Sequence, residues 1–257
     1  MSIIDAAALA ARVLKRETLG AVVRAKVDAA AVQDRIAKLM HDVRSFKPQH
    51  LEREDFLEAG QQWGVEPAVL HAIANAESGA TKGFDERGRI TILVEPHLFS
   101  ALTNHAFDRT RPEVSYPQWT PYQKGAAPPA GFHAHPYTFS ADERWGLFQR
   151  MAELDYAAAC GSVSAGRFQQ VTGSPRENMG WKLLRYPSAE ALLLKLATSE
   201  RDQLEVLHLF LLGTGLKPAL RSMDWMAIAR AYNGPGQAQA YSVRLQQCFK
   251  QCARLYV

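Results

Sequence analysis

Cysteine is scarce in this 257-residue chain: there are three, an odd number. Cys160 stands alone, and Cys248 and Cys252 lie four apart on one face of an expected helix, a spacing that suits a disulfide poorly. A disulfide-stapled scaffold is therefore excluded, and a reducing site of synthesis fits. No histidine cluster accompanies the cysteine pair, so neither a zinc centre nor any other metal or cofactor is expected. No run of 18 apolar residues occurs, which excludes a membrane-spanning helix. Met1-Ser2-Ile3-Ile4-Asp5 lacks the basic stretch and apolar run of a secretory signal, so synthesis in the cytoplasm is expected. Charge of one sign is also missing beyond the N-terminus. Residues 1–50 hold 9 Lys and Arg against 5 Asp and Glu, and the other 207 hold 21 of each. Only that basic start would support a nucleic-acid partner, and no aromatic platform is interleaved with it, so none is expected.

What is present is an ordinary globular composition, 47% hydrophobic and 22% charged. A chain of this length buries one large core, with or without a small appendage. Apolar residues at helical spacing fill residues 3–46, with a possible break at Gly20, and Pro48 marks a linker. The expected division is therefore an N-terminal basic helical segment over 1–50 and a main domain over 51–257. Within the latter, a helix near Arg53 ends at Gly64, and Pro67 opens a second that runs to Glu77 and Ser78. The turn-like Phe84 to Arg89 and the β-branched run Ile90 to Val94 predict a short hairpin. A long segment rich in Pro, Gly and aromatics follows from Asn104 to Pro136, and helices return over 141–159, 188–212, 222–232 and 237–255. No internal repeat is visible. The fold class expected is mainly α, α+β in the lysozyme manner, a helical bundle with a small β-hairpin beside the active-site cleft.

Chemistry concentrates at the end of the second of these helices. Glu77, in Ala74-Asn75-Ala76-Glu77-Ser78-Gly79, is a carboxylate in the last turn of an apolar helix. There the helix dipole disfavours negative charge and apolar neighbours desolvate the group. Both raise its proton affinity, as a general acid near neutral pH requires. By position alone, such a residue is more often simply solvated. The hairpin region adds Asp85, Glu86 and Glu95. Glycoside hydrolysis uses a protonated carboxyl on the leaving oxygen and often a second carboxylate facing it. The plainer readings are turn solvation for Asp85 and Glu86, and a salt bridge to Arg87 or Arg89, or a tie to His97, for Glu95.

The order of these segments resembles a known family. Ala76-Glu77-Ser78-Gly79, Gly83-Phe84 and the run from Gly88 to Phe99 are similar to the "ESxGxGF…GRPxILFERHxF" of the N-acetylmuramidase domain of phage endolysins. Ser115-Tyr116-Pro117 resembles its "SYP", and Cys160 to Gly173 its "SxSWGxFQIMG". Ser199-Glu200-Arg201-Asp202-Gln203-Leu204 resembles "SExxQL", and Asp224-Trp225 with Tyr232-Asn233-Gly234-Pro235 resembles "DW…YNGP". The likeness covers residues 50–257 in order. Trp145-Gly146-Leu147-Phe148-Gln149 is superficially closer to the "WGxFQ" element, but it falls inside a long expected helix. The substrate-binding turn is therefore placed at Ser164 to Gly173. Arg167 departs from the apolar residue usual there.

The resemblance implies cleavage of the β-1,4 bond between N-acetylmuramic acid and N-acetylglucosamine in bacterial peptidoglycan, without a cofactor. Glu77 would be the acid, and Glu95, at the "FERHxF" position, the second carboxylate. Ser78, Ser164, Gln169, Tyr232 and Asn233 would line the cleft, as in goose-type lysozymes and lytic transglycosylases. Amides and hydroxyls suit neutral acetamido sugars, although Tyr232-Asn233-Gly234 also reads as a helix C-cap. A transglycosylase ending in 1,6-anhydro products and a catalytically silent wall-binding protein are the alternatives. The expected setting is a monomer made in the cytoplasm and acting in the periplasm, as a phage lysis enzyme or as an injected antibacterial effector with an immunity protein.

Overall fold

The computed structural model describes residues 29–44, 49–78, 82–117, 139–176 and 179–257. The helix expected before residue 29, the break at Gly20, Gly79 and the prolines from Pro121 to Pro136 lie outside these residues.

Helix α1 occupies 29–42, and α2 (Arg53–Trp63) stops at Gly64, whose φ of 63° is left-handed and needs no Cβ. Helix α3 (Pro67–Ser78) follows at once. Its residues Ala68, Val69, Leu70, Ala72, Ile73, Ala74 and Ala76 are buried, so α3 is a core helix on nearly every side.

The expected hairpin takes a different form. Phe84 and Ile90 form only an isolated bridge around the turn at Asp85 to Gly88, and β1 (Ile92–Val94) pairs elsewhere. All three β1 residues are buried, which requires protein on both faces. The helix Ala141–Leu154 packs against β1, and at its edge the strand pairs with β2 (Val163–Ala165), antiparallel in the register Ile92 to Ala165 and Val94 to Val163. Strand β3 (Gln170–Val171) completes a three-stranded sheet in the order β1-β2-β3.

Between β1 and β2 lie α4 (Pro96–Leu102), α5 (Ala141–Leu154) and α6 (Tyr156–Cys160). After the sheet come α7 (Gly180–Leu183), α8 (Ala189–Leu196), α9 (Glu200–Gly213), α10 (Lys217–Arg221), α11 (Trp225–Asn233) and α12 (Ala238–Cys252). Two helices expected as continuous are broken by caps. Asp155 leaves the helical region at φ −154° and accepts from the Ala158 N–H to start α6. Ser199 does the same for α9 through the Asp202 N–H. Trp145 and Phe148 are buried inside α5, so the sequence around them is helix core, and the turn at Ser164 to Gly173 is the one that joins two strands.

Two apolar clusters result. One gathers Ile36 and Leu39 of α1, Ile92 and Val94 of β1, Trp145 and Phe148 of α5, and Leu192 and Leu196 of α8. The other gathers Phe56 and Trp63 of α2, Leu70 and Ile73 of α3, Leu207 of α9, and Tyr241 and Leu245 of α12. The β2–β3 hairpin belongs to both, giving Ala165 to the first and Phe168 to the second. Burying Phe168 alone is worth roughly 1.5–3 kcal/mol, and it fastens the hairpin to α3. The chain thus sends Glu77 out of one core and Glu95 out of the other, with the hairpin joining them.

Candidate active site

Glu77 sits in the last turn of α3, part-buried, and its Oε1 accepts a hydrogen bond from the hydroxyl of Tyr241 on α12. Desolvation by the apolar surroundings raises its carboxyl from an ordinary 4.5 to about 7, against the opposing pull of the Tyr241 hydrogen bond and the positive charge of Arg244. The ring of Tyr232 at the end of α11 lies 6.1 Å from that of Tyr241, nearly parallel to it. The Tyr232 hydroxyl is buried, with the Gln170 side chain beside it. Burial and the neighbouring Glu77 charge hold both phenols well above their ordinary range, with burial the larger cause.

The end of α3 is fixed from the hairpin side. Arg167 donates from Nη1 to Ser78 Oγ at 2.8 Å and from Nη2 to Asn75 Oδ1 at 2.6 Å. The Ser78 hydroxyl itself donates to the Ala74 carbonyl at 2.8 Å. Ser78 is thereby a tie between α3 and the β2–β3 turn, and Arg167, the departure from the apolar residue expected there, makes that tie.

Glu95 caps α4 between β1 and that helix, 7% exposed. Its backbone N–H donates to the Ser162 carbonyl at 2.8 Å. Its Oε1 accepts from Ser164 Oγ at 3.3 Å, and its Oε2 is buried without a hydrogen bond, with His97 Nδ1 3.5 Å away. Burial raises this carboxyl too to about 7, with the Ser164 hydroxyl pulling the other way. Tyr116 of the Ser115-Tyr116-Pro117 element stands close enough that burial first and the Glu95 charge second push its phenol up to about 12. Ser115 anchors that element by donating to Asp108 at 2.5 Å. The salt bridges considered for Glu95 are made by other groups: Arg89 binds Asp85 at 2.8 Å and Asp142 at 2.6 Å, and Arg87 binds Asp142 at 3.0 Å. Asp85 also accepts from the N–H groups of Arg87 and Arg89, and so serves the turn, while Glu86 is exposed.

The hairpin turn separates the two glutamines. Gln169 has φ 45°, and its side chain donates back to the Gly166 carbonyl at 2.9 Å, closing the turn. Gln170 begins β3, is 5% exposed, and sets its amide beside the Tyr232 phenol. Asn233 is exposed as the last residue of α11, where Gly234 at φ 70° supplies the C-cap. The structure thus brings Glu77, Ser78 and Tyr232 together on one side, and Glu95 and Ser164 together on the other. Sequence reading missed Tyr241 and Gln170. Tyr241 carries no motif of its own, and Gln170 is distinguished from Gln169 only by strand register.

The "SExxQL" element proves to be scaffold. Buried Glu200 accepts from the N–H of Gly83 at 2.6 Å and of Leu51 at 2.8 Å, and lies 3.0 Å from His50 Nδ1. Gln203 accepts from the Arg167 N–H at 2.6 Å and donates to the Leu196 carbonyl at 2.8 Å. Among the described residues no group of three or more His, Cys, Asp or Glu is placed to hold a metal ion. Nor is any helix among them long and apolar enough to cross a membrane.

A helical bundle built on a buried helix that ends in a desolvated glutamate, beside a small antiparallel sheet, defines a lysozyme-like glycoside hydrolase. The chain belongs to the N-acetylmuramidase family, whose model matches residues 66–253. It is similar to the crystal structure of the Burkholderia AP3 phage endolysin, with a TM-score of 0.62 and 26% identity over 82% of this chain and 74% of that one. None of the curated protein sequences compared matches the chain. The protein is a peptidoglycan hydrolase, and its substrate is the bacterial cell wall.

Proposed function

We propose that Glu77 protonates the oxygen bridging N-acetylmuramic acid to N-acetylglucosamine, so that the bond breaks through an oxocarbenium-like state trapped by water. The observation that carries this reading is the Glu77 carboxyl itself, desolvated at the end of α3 and held to about 7. It keeps its proton near neutral pH and yet ionises readily when the proton is delivered. Glu95 is the second carboxylate, bearing on the developing positive charge or on the incoming water. Its Oε1 is held by Ser164 and its Oε2 has only the long 3.5 Å contact with His97 Nδ1, which supports that role by leaving Oε2 able to take up a ligand group. Ser164 orients Glu95, and Tyr232, Gln170 and Asn233 offer a hydroxyl, two amides and a ring to an acetamido sugar. Ser78 acts through its tie to Arg167, and Gln169 through the turn it closes.

The cell role that fits is bacterial lysis from a cytoplasmic site of synthesis, with action in the periplasm, as a monomer. The likeness to a phage endolysin favours lysis over delivery as an effector, for which an immunity protein would be the partner. Residues 51–257 carry the chemistry, and Ile36, Leu39 and Val43 of the segment before them pack into the same core as β1 and α5.

Digestion of purified peptidoglycan, followed by mass spectrometry, tests the reading. Products with reducing N-acetylmuramic acid ends are expected from the wild type, and none above background from Glu77→Gln. Anhydro-terminated products would replace hydrolysis by transglycosylation, and an active Glu77→Gln would remove the acid.

A further inference from the structure

We infer that Tyr241 is a positioning residue for the acid: by donating its phenolic hydrogen to Oε1 of Glu77, it places the acidic proton on Oε2 and aims that oxygen at the glycosidic bond. The inference rests on the reading of Glu77 as the proton donor.

The geometry begins with packing. Helices α3 and α12 lie against each other, and Tyr241, 8% exposed, projects from the first turn of α12. A buried phenol needs a partner for its hydroxyl, and here that partner is Glu77 Oε1. A tyrosine hydroxyl has one hydrogen to give. When Glu77 is protonated, an oxygen that already receives that hydrogen is the carbonyl-like one, so the carboxyl's own proton resides on the other oxygen. An acid whose proton sat on either oxygen at random would spend part of its time unable to transfer it. The neighbours leave this task to Tyr241. Tyr232 of α11 lies alongside as a stacked ring, but its hydroxyl sits by the Gln170 amide. Arg244, one turn along α12, contributes only its charge to Glu77.

The hydrogen bond also strengthens as Glu77 ionises, because a charged acceptor binds the donor more tightly than a neutral one. Tyr241 therefore holds the conjugate base just after proton transfer, and losing it makes the carboxyl a weaker acid. The test compares pH–rate profiles of wild type, Tyr241→Phe and a chain with 3-fluorotyrosine at position 241, on solubilised peptidoglycan, with Glu77→Gln alongside. The phenylalanine variant is expected to lose roughly tenfold in kcat with KM little changed, and its alkaline limb should move up by roughly one pH unit. Fluorination makes the phenol a stronger donor with almost no change in shape, so it should move the limb the other way. A merely structural tyrosine would leave the limb in place. Unmoved limbs in the fluorinated protein and in a folded phenylalanine variant overturn the inference, while an inactive Glu77→Gln still upholds the acid. Should the phenylalanine variant fail to fold, the fluorinated protein decides alone. An active Glu77→Gln would instead remove the reading beneath it.

Discussion

The guanidinium of Arg167 spans from the β2–β3 turn to α3, binding Asn75 Oδ1 at 2.6 Å and Ser78 Oγ at 2.8 Å. Ser78 is the residue after the acid, so a side chain on the hairpin fixes the helix end that bears Glu77. Arg167→Leu restores an apolar residue but leaves the Asn75 oxygen without this donor. The expected cost is about 1–3 kcal/mol of stability, read by urea denaturation. Because the acid sways with the helix end, kcat should fall more than the stability loss explains at temperatures where the variant is folded. Wild-type kcat in Arg167→Leu would show that the tie is dispensable for catalysis.

The two adjacent glutamines should differ sharply. Gln170, buried beside Tyr232, should lose activity on substitution by Ala, with KM raised and kcat lowered on peptidoglycan fragments. Gln169 closes its own turn at φ 45°, and Gln169→Gly should keep near-wild-type kinetics, because Gly adopts that backbone without strain. The reverse ranking would return the sugar contact to Gln169.

Gly166 and Gln203 leave no space between them. A Cβ on Gly166 would meet Gln203 Cδ at 2.6 Å, and the glycine's φ is +76°. Gly166→Ala therefore meets a steric clash and a disfavoured backbone together, at an expected cost of at least about 2 kcal/mol. Its Tm should drop by several degrees, and Gln203→Ala should not fully rescue it, since the backbone penalty remains. Full rescue would assign the whole effect to the side-chain contact.

Stability should slope with pH because of Glu95. Its carboxyl is raised from 4.5 to about 7 in the folded protein. Across that window the folded chain keeps a proton that the unfolded chain has released, so stability falls as pH rises from the lower value to the higher and then levels off. Glu77 adds a slope of the same sign. Glu95→Gln is neutral throughout, so relative to wild type it should gain up to about 3 kcal/mol above pH 7 and nothing near pH 4. Melting temperatures from pH 4 to 8 check this, and a gain that grew toward acid would contradict it.

Much of the molecule was legible in the chain itself. Pro67, the apolar run behind it and the following Ser78 located α3 and Glu77, because helix punctuation and burial are local properties. The correct strand turn was separable from the decoy at Trp145, because only one of the two sits between helix signals. Less legible were features set by distant pairing. β1 looked like half of a local hairpin, yet its partner strand β2 comes only after α4, α5 and α6. Asp155 and Ser199 divided helices that periodicity had joined, since a capping side chain leaves the apolar spacing nearly undisturbed. Tyr241 was invisible for a plainer reason: nothing local in α12 reveals that a residue 164 positions earlier needs a hydrogen bond.

Ile36, Leu39 and Val43 are all at most 3% exposed, and the carbonyl of Val43 receives the N–H of Ile90 at 3.1 Å. For anyone trimming the gene to a minimal lytic fragment, the useful start therefore keeps the helix that begins at residue 29, well before the first residue matched by the family. A cut at residue 51 would take three buried side chains out of that core and trade a shorter protein for one that exposes apolar surface.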